Sequence, residues 1–259
     1  MRRNLFCVLT SLLLVLGILA ASAGAETMRG DLSERFADIP RIEYEGQIYS
    51  LKKRVTTVLA MGIGSDENGK SRADVSFMLV IDDKAKTFTV VEIPADTLVQ
   101  VAMEDGSPWN MRFQDVFSLN DDADAGAAKT VEILNGILGE DRVEHYLAFD
   151  AQGAAILDIG LASIEDTKER LKAMMALVEE MDSDELNDVY GLLGDYIITD
   201  MKSGAVMKVI DKMDRYEVLP RMELPGMQYA ASDGGTLFVP DVNEILKLRL
   251  DFFYEENNY

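Results

Sequence analysis

The sequence predicts an α/β domain: a central, mostly buried mixed β-sheet flanked by helices. Three observations carry this expectation. Residues 55–101 hold three short apolar runs, Val58 to Met61, Phe77 to Ile81 and Thr87 to Ile93, bounded by Gly62, Asp82-Asp83 and Pro94, which is how strands are punctuated. These runs are apolar nearly throughout, as expected of strands covered on both faces. Segments with apolar residues at spacings of three and four follow them. The 259 residues, 48% of them apolar, suit one α/β domain with a small appendage.

In chain order, Arg2 and Arg3 precede an apolar run from Leu5 to Ala21, and Ala23-Gly24-Ala25 closes it. A basic start, an apolar middle and a small-residue end describe a secretory signal over residues 1–25, with a cut before Glu26. The alternative is an uncleaved signal-anchor that keeps the protein near the membrane, since about 17 apolar residues lie at the short edge of spanning length. Either way the protein is expected outside the cytoplasm, secreted or held at the outer face of the cytoplasmic membrane. The only cysteine, Cys7, lies inside this segment, so the mature chain has no disulfide or thiolate chemistry. The net charge of −21 speaks against nucleic acid as a partner, because phosphate backbones would be repelled.

Residues 26–54 read as an N-terminal extension: a short helix from Leu32 to Ala37 before Pro40, then a small hairpin, Ile42 to Tyr49, around Glu45-Gly46. The main domain spans 55–259. After the opening strands, residues 102–124 read as a long polar loop with a short element near Phe113 to Phe117. Ala128, Val131, Leu134, Ile137 and Leu138 predict a helix that Gly139 ends. Val143 to Phe149 reads as a strand. Helices are expected over Asp150 to Leu157, Ile164 to Met181, Asp184 to Leu193 and Ser203 to Met213. Tyr216 to Leu219 and Thr236 to Val239 read as strands. Asp241, with Glu244 three residues on, resembles a capping box opening a last helix whose apolar face is Ile245, Leu246, Leu248, Phe252 and Phe253.

Several chemistries are excluded. His145 is the only histidine, which removes histidine-rich metal sites, and no nucleophile elbow accompanies it. There is no phosphate loop, and Gly62-Ile63-Gly64 lacks the third glycine of a dinucleotide fingerprint. Asp121, Asp122 and Asp124 lack the offsets of a calcium loop and read as solvated. What remains is Arg72 and Asp74 in Arg72-Ala73-Asp74, and Asp96 in Pro94-Ala95-Asp96. Strand ends are where this fold class places its sites. Turn capping and mutual pairing on the surface would account for the same residues.

The ordered set of motifs resembles the LytR-CpsA-Psr family of extracytoplasmic proteins over most of residues 55–255. The matching stretches are Leu59 to Gly64, Ser71-Arg72-Ala73-Asp74-Val75, Ile93-Pro94-Ala95-Asp96-Thr97, Arg112-Phe113-Gln114, Thr130 to Gly139, Tyr146 to Asp150, Leu157 to Gly160, Leu224-Pro225-Gly226 and Phe238 to Asp241. The resemblance implies an enzyme that moves a glycopolymer from a polyprenyl-pyrophosphate carrier to peptidoglycan. It also implies the roles. Arg72, Asp96 and Arg170 would serve catalysis. Arg72, Arg112, Lys168 and Arg170 would hold the pyrophosphate. Asp74, with Asp66 as a substitute, would hold Mg2+. Cations suit a pyrophosphate leaving group, and a divalent ion offsets charge as the anhydride breaks. The prenyl tail would need an apolar crevice beside them.

Two departures bear on activity. Gly64 stands where the family has a metal-binding aspartate, and Ala95 where it has a pyrophosphate-binding arginine. An arginine-rich segment expected after Gly160 is also missing, with Lys168 and Arg170 as its remnant. The expectation is therefore an exported cell-envelope protein with reduced or lost catalysis and a binding or accessory role. The alternatives are an active magnesium-dependent phosphotransferase and a secreted module of unrelated role.

Overall fold

A computed structural model describes residues 41–150 and 197–256, except 67, 103–105, 203–204, 206–207, 210–211, 213–214 and 233. The expected signal segment and the helices between 151 and 196 lie outside the described residues, as do Lys168 and Arg170.

Strands β1 (Arg41–Tyr44) and β2 (Gln47–Leu51) form the expected hairpin. Its two turn residues, Glu45 and Gly46, both have positive φ, 50° and 79°. That is the primed turn whose twist matches the flanking strands. The short strand β14 (Tyr254–Glu256) adds to β2, so the hairpin is stitched to the far end of the described chain.

The central sheet has seven strands. β3 (Val55–Ser65), β4 (Ser71–Asp82) and β5 (Thr87–Ile93) are antiparallel neighbours. β8 (His145–Asp150) lies parallel to β3, and β9 (Ile197–Thr199) antiparallel to β8. At the other edge β10 (Glu217–Val218) and β11 (Met222–Glu223) run parallel to β5. The sheet is thus mixed.

Its apolar strands are sandwiched as their composition requires. Leu59, Met61, Met78, Val80, Val91 and Ile93 bury one face of the sheet. Val58, Ala60, Leu79, Ile81, Phe88, Val90 and Leu147 bury the other, with Val209. Each such side chain contributes about 1.5–3 kcal/mol when fully buried. Val209 belongs to the stretch predicted as helix over Ser203 to Met213, and its described residues Ala205, Lys208, Val209 and Lys212 are helical.

Helices cover the first face. Residues 102–124 depart from the expected long loop. β6 (Leu98–Ala102) and β7 (Pro108–Arg112) form a hairpin, followed by helix α1 (Phe113–Val116) and a 3-10 turn, Phe117–Leu119. Phe113, Val116 and Phe117 are buried, which explains the ordering: the segment is polar on average but supplies three core side chains at one end.

Helix α2 (Ala123–Leu138) starts at the N-cap Asp122, whose carboxylate accepts from the Ala125 N–H, so one of the three aspartates expected in a solvated loop is a cap. Gly139, at φ 71°, closes the helix. The N–H of Glu140 reaches the Asn135 carbonyl, and that of Gly139 reaches Gly136. This is a Schellman ending, which requires the left-handed residue.

β12 (Gly226–Ala230) and β13 (Thr236–Pro240) form a further hairpin, and helix α3 (Val242–Phe253) packs Ile245, Leu248 and Phe253 into the core. Asp241 caps α3 as expected by accepting from the N–H groups of Asn243 and Glu244. Glu244 makes an ion pair with Lys247.

Candidate functional site

Strand directions bring the chemistry-bearing residues to one end of the sheet. β3 and β8 end there, β4 begins there, and β5 ends there in Ile93, opposite Ser76. The turn between β3 and β4 is organised by Asp66. Its carboxylate accepts from the N–H groups of Asn68 and Lys70, both at 2.8 Å. The bond from Lys70, then that from Asn68, holds this carboxyl below its usual range.

Pairing between β3 and β4 slips between Gly62 and Ile63: Gly62 faces Val75 while Ile63 faces Ala73, which leaves Asp74 as a bulged residue. Asp74 is exposed, whereas Ala73 and Ser76 are buried. Asp74 forms an ion pair with Arg72. Its other carboxylate oxygen lies over Gly64, in the space a Cβ on Gly64 would enter. The carboxylate that the bulge displays therefore stands beside Gly64, where the resemblance implies an aspartate.

The segment after β5 is fixed by its backbone. Thr97 is fully buried and donates its hydroxyl to the Pro94 carbonyl at 2.6 Å. The carbonyls of Ala95 and Thr97 accept from the N–H groups of Gln114 and Phe113, so this loop and the start of α1 are one unit. Asp96 turns toward β13, where its carboxylate accepts from Thr236 and its carbonyl from the Phe238 N–H. It is thus engaged by Thr236, while Arg72 and Asp74 engage each other.

Arg112 precedes α1, half-buried, and Asp115 follows within it. Burial pushes the Asp115 carboxyl up; Arg112 and Arg72 pull it down, and Asp66 and Asp74 push it further up. Asp66, Arg72, Asp74, Arg112 and Asp115 therefore share one electrostatic neighbourhood. A carboxyl raised on folding binds its proton more tightly in the folded state, so stability falls as pH rises from the ordinary carboxylate range through the raised value. Asp115→Asn is expected to unfold at a higher temperature than the parent at pH 7, the difference vanishing below about pH 3 where both side chains are neutral. Thermal unfolding followed across pH checks this, and a lower midpoint at pH 7 contradicts it.

Two charged residues of this end were not singled out from the sequence. Asp115 lay within the short element read near Phe113 to Phe117, with no signal of its own. Arg221, between β10 and β11, pairs with Glu92 and lies 4.8 Å over the Phe77 ring. Its signal was absent, because it reaches the site through a parallel pairing of distant segments. His145, expected as a sheet residue near a rim, begins β8, with its Nδ1 3.0 Å from Asp200. Among the described residues no group of three histidine, cysteine or acidic side chains is arranged to hold a metal. The carboxylates of Asp66 and Asp74 serve the turn and Arg72 instead.

The fold and this strand-end cluster define a mixed-sheet α/β protein with a charged cluster at one end of its sheet. The sequence profile described as the LytR_cpsA_psr family matches residues 21–158. The chain belongs to the LytR-CpsA-Psr family, whose members act on the cell envelope.

Solved structures agree on the fold. Lin1025 protein from Listeria innocua is 17% identical, with a TM-score of 0.52 over 78% of this chain and 97% of that one. TagV of B. subtilis is 16% identical, with a TM-score of 0.54 over 78% and 97%. TagT bound to LIIa-WTA is 13% identical, with a TM-score of 0.53 over 77% and 90%. Compared sequence against sequence, no curated protein matches. Among the described residues no helix is long and apolar enough to cross a membrane.

Proposed function

We propose that this protein is an exported cell-envelope member of its family that binds a polyprenyl-phosphate lipid or cell-wall glycopolymer, with transferase activity reduced or lost. The observation that carries this reading is the pairing of Arg72 with Asp74 over Gly64. The two charges retained from the family's pattern neutralise one another, and the third position has no side chain. A pyrophosphate draws on cations around it, and losing one charged contact in a buried site costs on the order of 2–5 kcal/mol. Ala95 offers a methyl group where the resemblance implies a guanidinium. The signal pattern of residues 1–25 supports export. The glycopolymer as ligand class rests on family membership and, by analogy of fold, on TagT bound to LIIa-WTA.

An active magnesium-dependent phosphotransferase is the second reading. The gathering of Asp66, Asp74 and Asp115 with Arg72 and Arg112 favours it; the resemblance adds Asp96, Lys168 and Arg170, the last two outside the described residues. As arranged, these carboxylates do not fit a metal, since Asp74 must first leave Arg72.

Thermal unfolding with Mg2+ alone, with a polyprenyl pyrophosphate alone and with both separates the readings. The expected result is stabilisation by the lipid without Mg2+ and no transfer to peptidoglycan. Stabilisation that requires Mg2+, together with turnover, establishes the second reading. Indifference to all three favours a secreted module of unrelated role.

A further inference from the structure

The opposite end of the sheet carries a cluster that the strand-end site does not use. The turn between β4 and β5 presents Lys86, and the helical stretch before β10 presents Lys208, Lys212 and Arg215, followed by Tyr216. Spacings of four and three place Lys208, Lys212 and Arg215 on one side of that stretch. With Lys86 and Tyr216 they line an open recess of about 510 Å3. Lys212 is 2.9 Å from the Asp83 carboxylate, and the Tyr216 hydroxyl donates to the same carboxylate at 2.9 Å. Lys86 donates to that hydroxyl at 3.1 Å, and its ammonium lies 4.8 Å from the ring centroid. The tyrosine and the aspartate thus fix two of the ammonium groups in place.

In a chain of net charge −21, four cationic side chains on one recess stand out. Gathered like charges repel one another; among the described residues the Asp83 carboxylate is held against them by Lys212 and Tyr216. The acidity of the remaining surface is screened beyond about 8–10 Å at ordinary ionic strength, so an anion is attracted only locally. A guanidinium matches phosphate oxygens in pairs, and ammonium groups add point charges around them. The recess is also wider than a single carboxylate needs.

We propose that this recess binds a phosphate-bearing anion of two or more charges, either a soluble diphosphate or the headgroup of an anionic phospholipid. It is separate from the strand-end cluster, because the length of β4 lies between them.

Calorimetric titration of the full chain with inorganic pyrophosphate tests this, alongside co-sedimentation with phosphatidylglycerol vesicles and with phosphatidylcholine vesicles as control. Arg72→Ala with Arg112→Ala blinds the other end of the sheet and is expected to leave one binding event. Lys208→Gln with Arg215→Gln is expected to weaken binding about tenfold or more, whereas Lys208→Arg with Arg215→Lys retains it. Thermal unfolding of each variant confirms a folded chain. Pyrophosphate binding without vesicle binding identifies a soluble ligand, and charge-dependent vesicle binding identifies a headgroup; both support the site. Equal binding by the glutamine variant and the parent, or no binding of either probe, overturns it.

Discussion

Gly64→Asp combined with Ala95→Arg is expected to tighten binding of a polyprenyl pyrophosphate by at least roughly tenfold, since one restored charged contact is worth on the order of 2–5 kcal/mol. The geometry says what each change does. A side chain at Gly64 enters space held by the end of the Asp74 carboxylate. That end is flexible, so Asp74 can rotate at little cost, but doing so brings two carboxylates together and releases Arg72. Arg72 and a new guanidinium at position 95 would then both face the ligand. Position 95 tolerates the change, because Ala95 is half-buried and its fixed contact is a carbonyl accepting from Gln114. Affinity by lipid-binding titration, with and without Mg2+, checks the outcome. A doubly substituted protein that folds and binds no better than the parent would refute the idea of a surviving pocket. Ala95→Arg alone is expected to supply most of the gain without Mg2+, and Gly64→Asp to add to it only when Mg2+ is present.

Asn135→Leu is expected to have the largest effect on stability, a loss on the order of 3 kcal/mol. The Asn135 side chain is buried and makes three hydrogen bonds. Its Oδ1 accepts from the N–H groups of Arg142 and Val143 at 3.0 and 2.8 Å, and its Nδ2 donates to the Val143 carbonyl at 3.1 Å. One side chain thus does for the link between α2 and β8 what a neighbouring strand would do. Leucine has the same heavy-atom branching, though it is bulkier, and leaves these backbone groups without partners in a region where Val143 is itself buried. Denaturant unfolding should show a lower midpoint with an unchanged slope, and a shift worth less than about 1 kcal/mol would mean that water replaces the amide.

The fold was legible where burial writes itself into composition. β3, β4, β5 and β8 are apolar because both faces are covered, and α2 and α3 are periodic because one side is. Of the segment 102–124, only the short element near Phe113 to Phe117 was legible. Its hairpin exposes β7, with Trp109 57% exposed, so neither alternation nor an apolar run marks it. β10 was legible in the strand read over Tyr216 to Leu219, whereas β11, two residues long, exists only because β5 lies alongside. Of the candidate site, the proximity of Arg72 and Asp74 was readable from their spacing, and so was their mutual pairing, which stood as the alternative to a functional role. Asp96 was readable as a strand-end residue and not as a partner of Thr236, since that contact spans 140 positions. Asp115 and Arg221 left no local trace, because long-range packing brings them to the site.

The slip in the β3–β4 ladder has one more implication. Asp74 and Val75 together stand opposite Gly62, so one of them is supernumerary to the in–out rhythm of β4. Deleting Asp74 would leave Ala73 under the helices and Arg72 on the open side, whereas deleting most other residues of the strand would turn it inside out. The core therefore does not require Asp74, and the sheet would be more regular without it. Packing alone does not account for a residue held in a conformation that regular pairing would abolish. The bulge holds Asp74 out of the ladder, with Gly64 beneath its carboxylate.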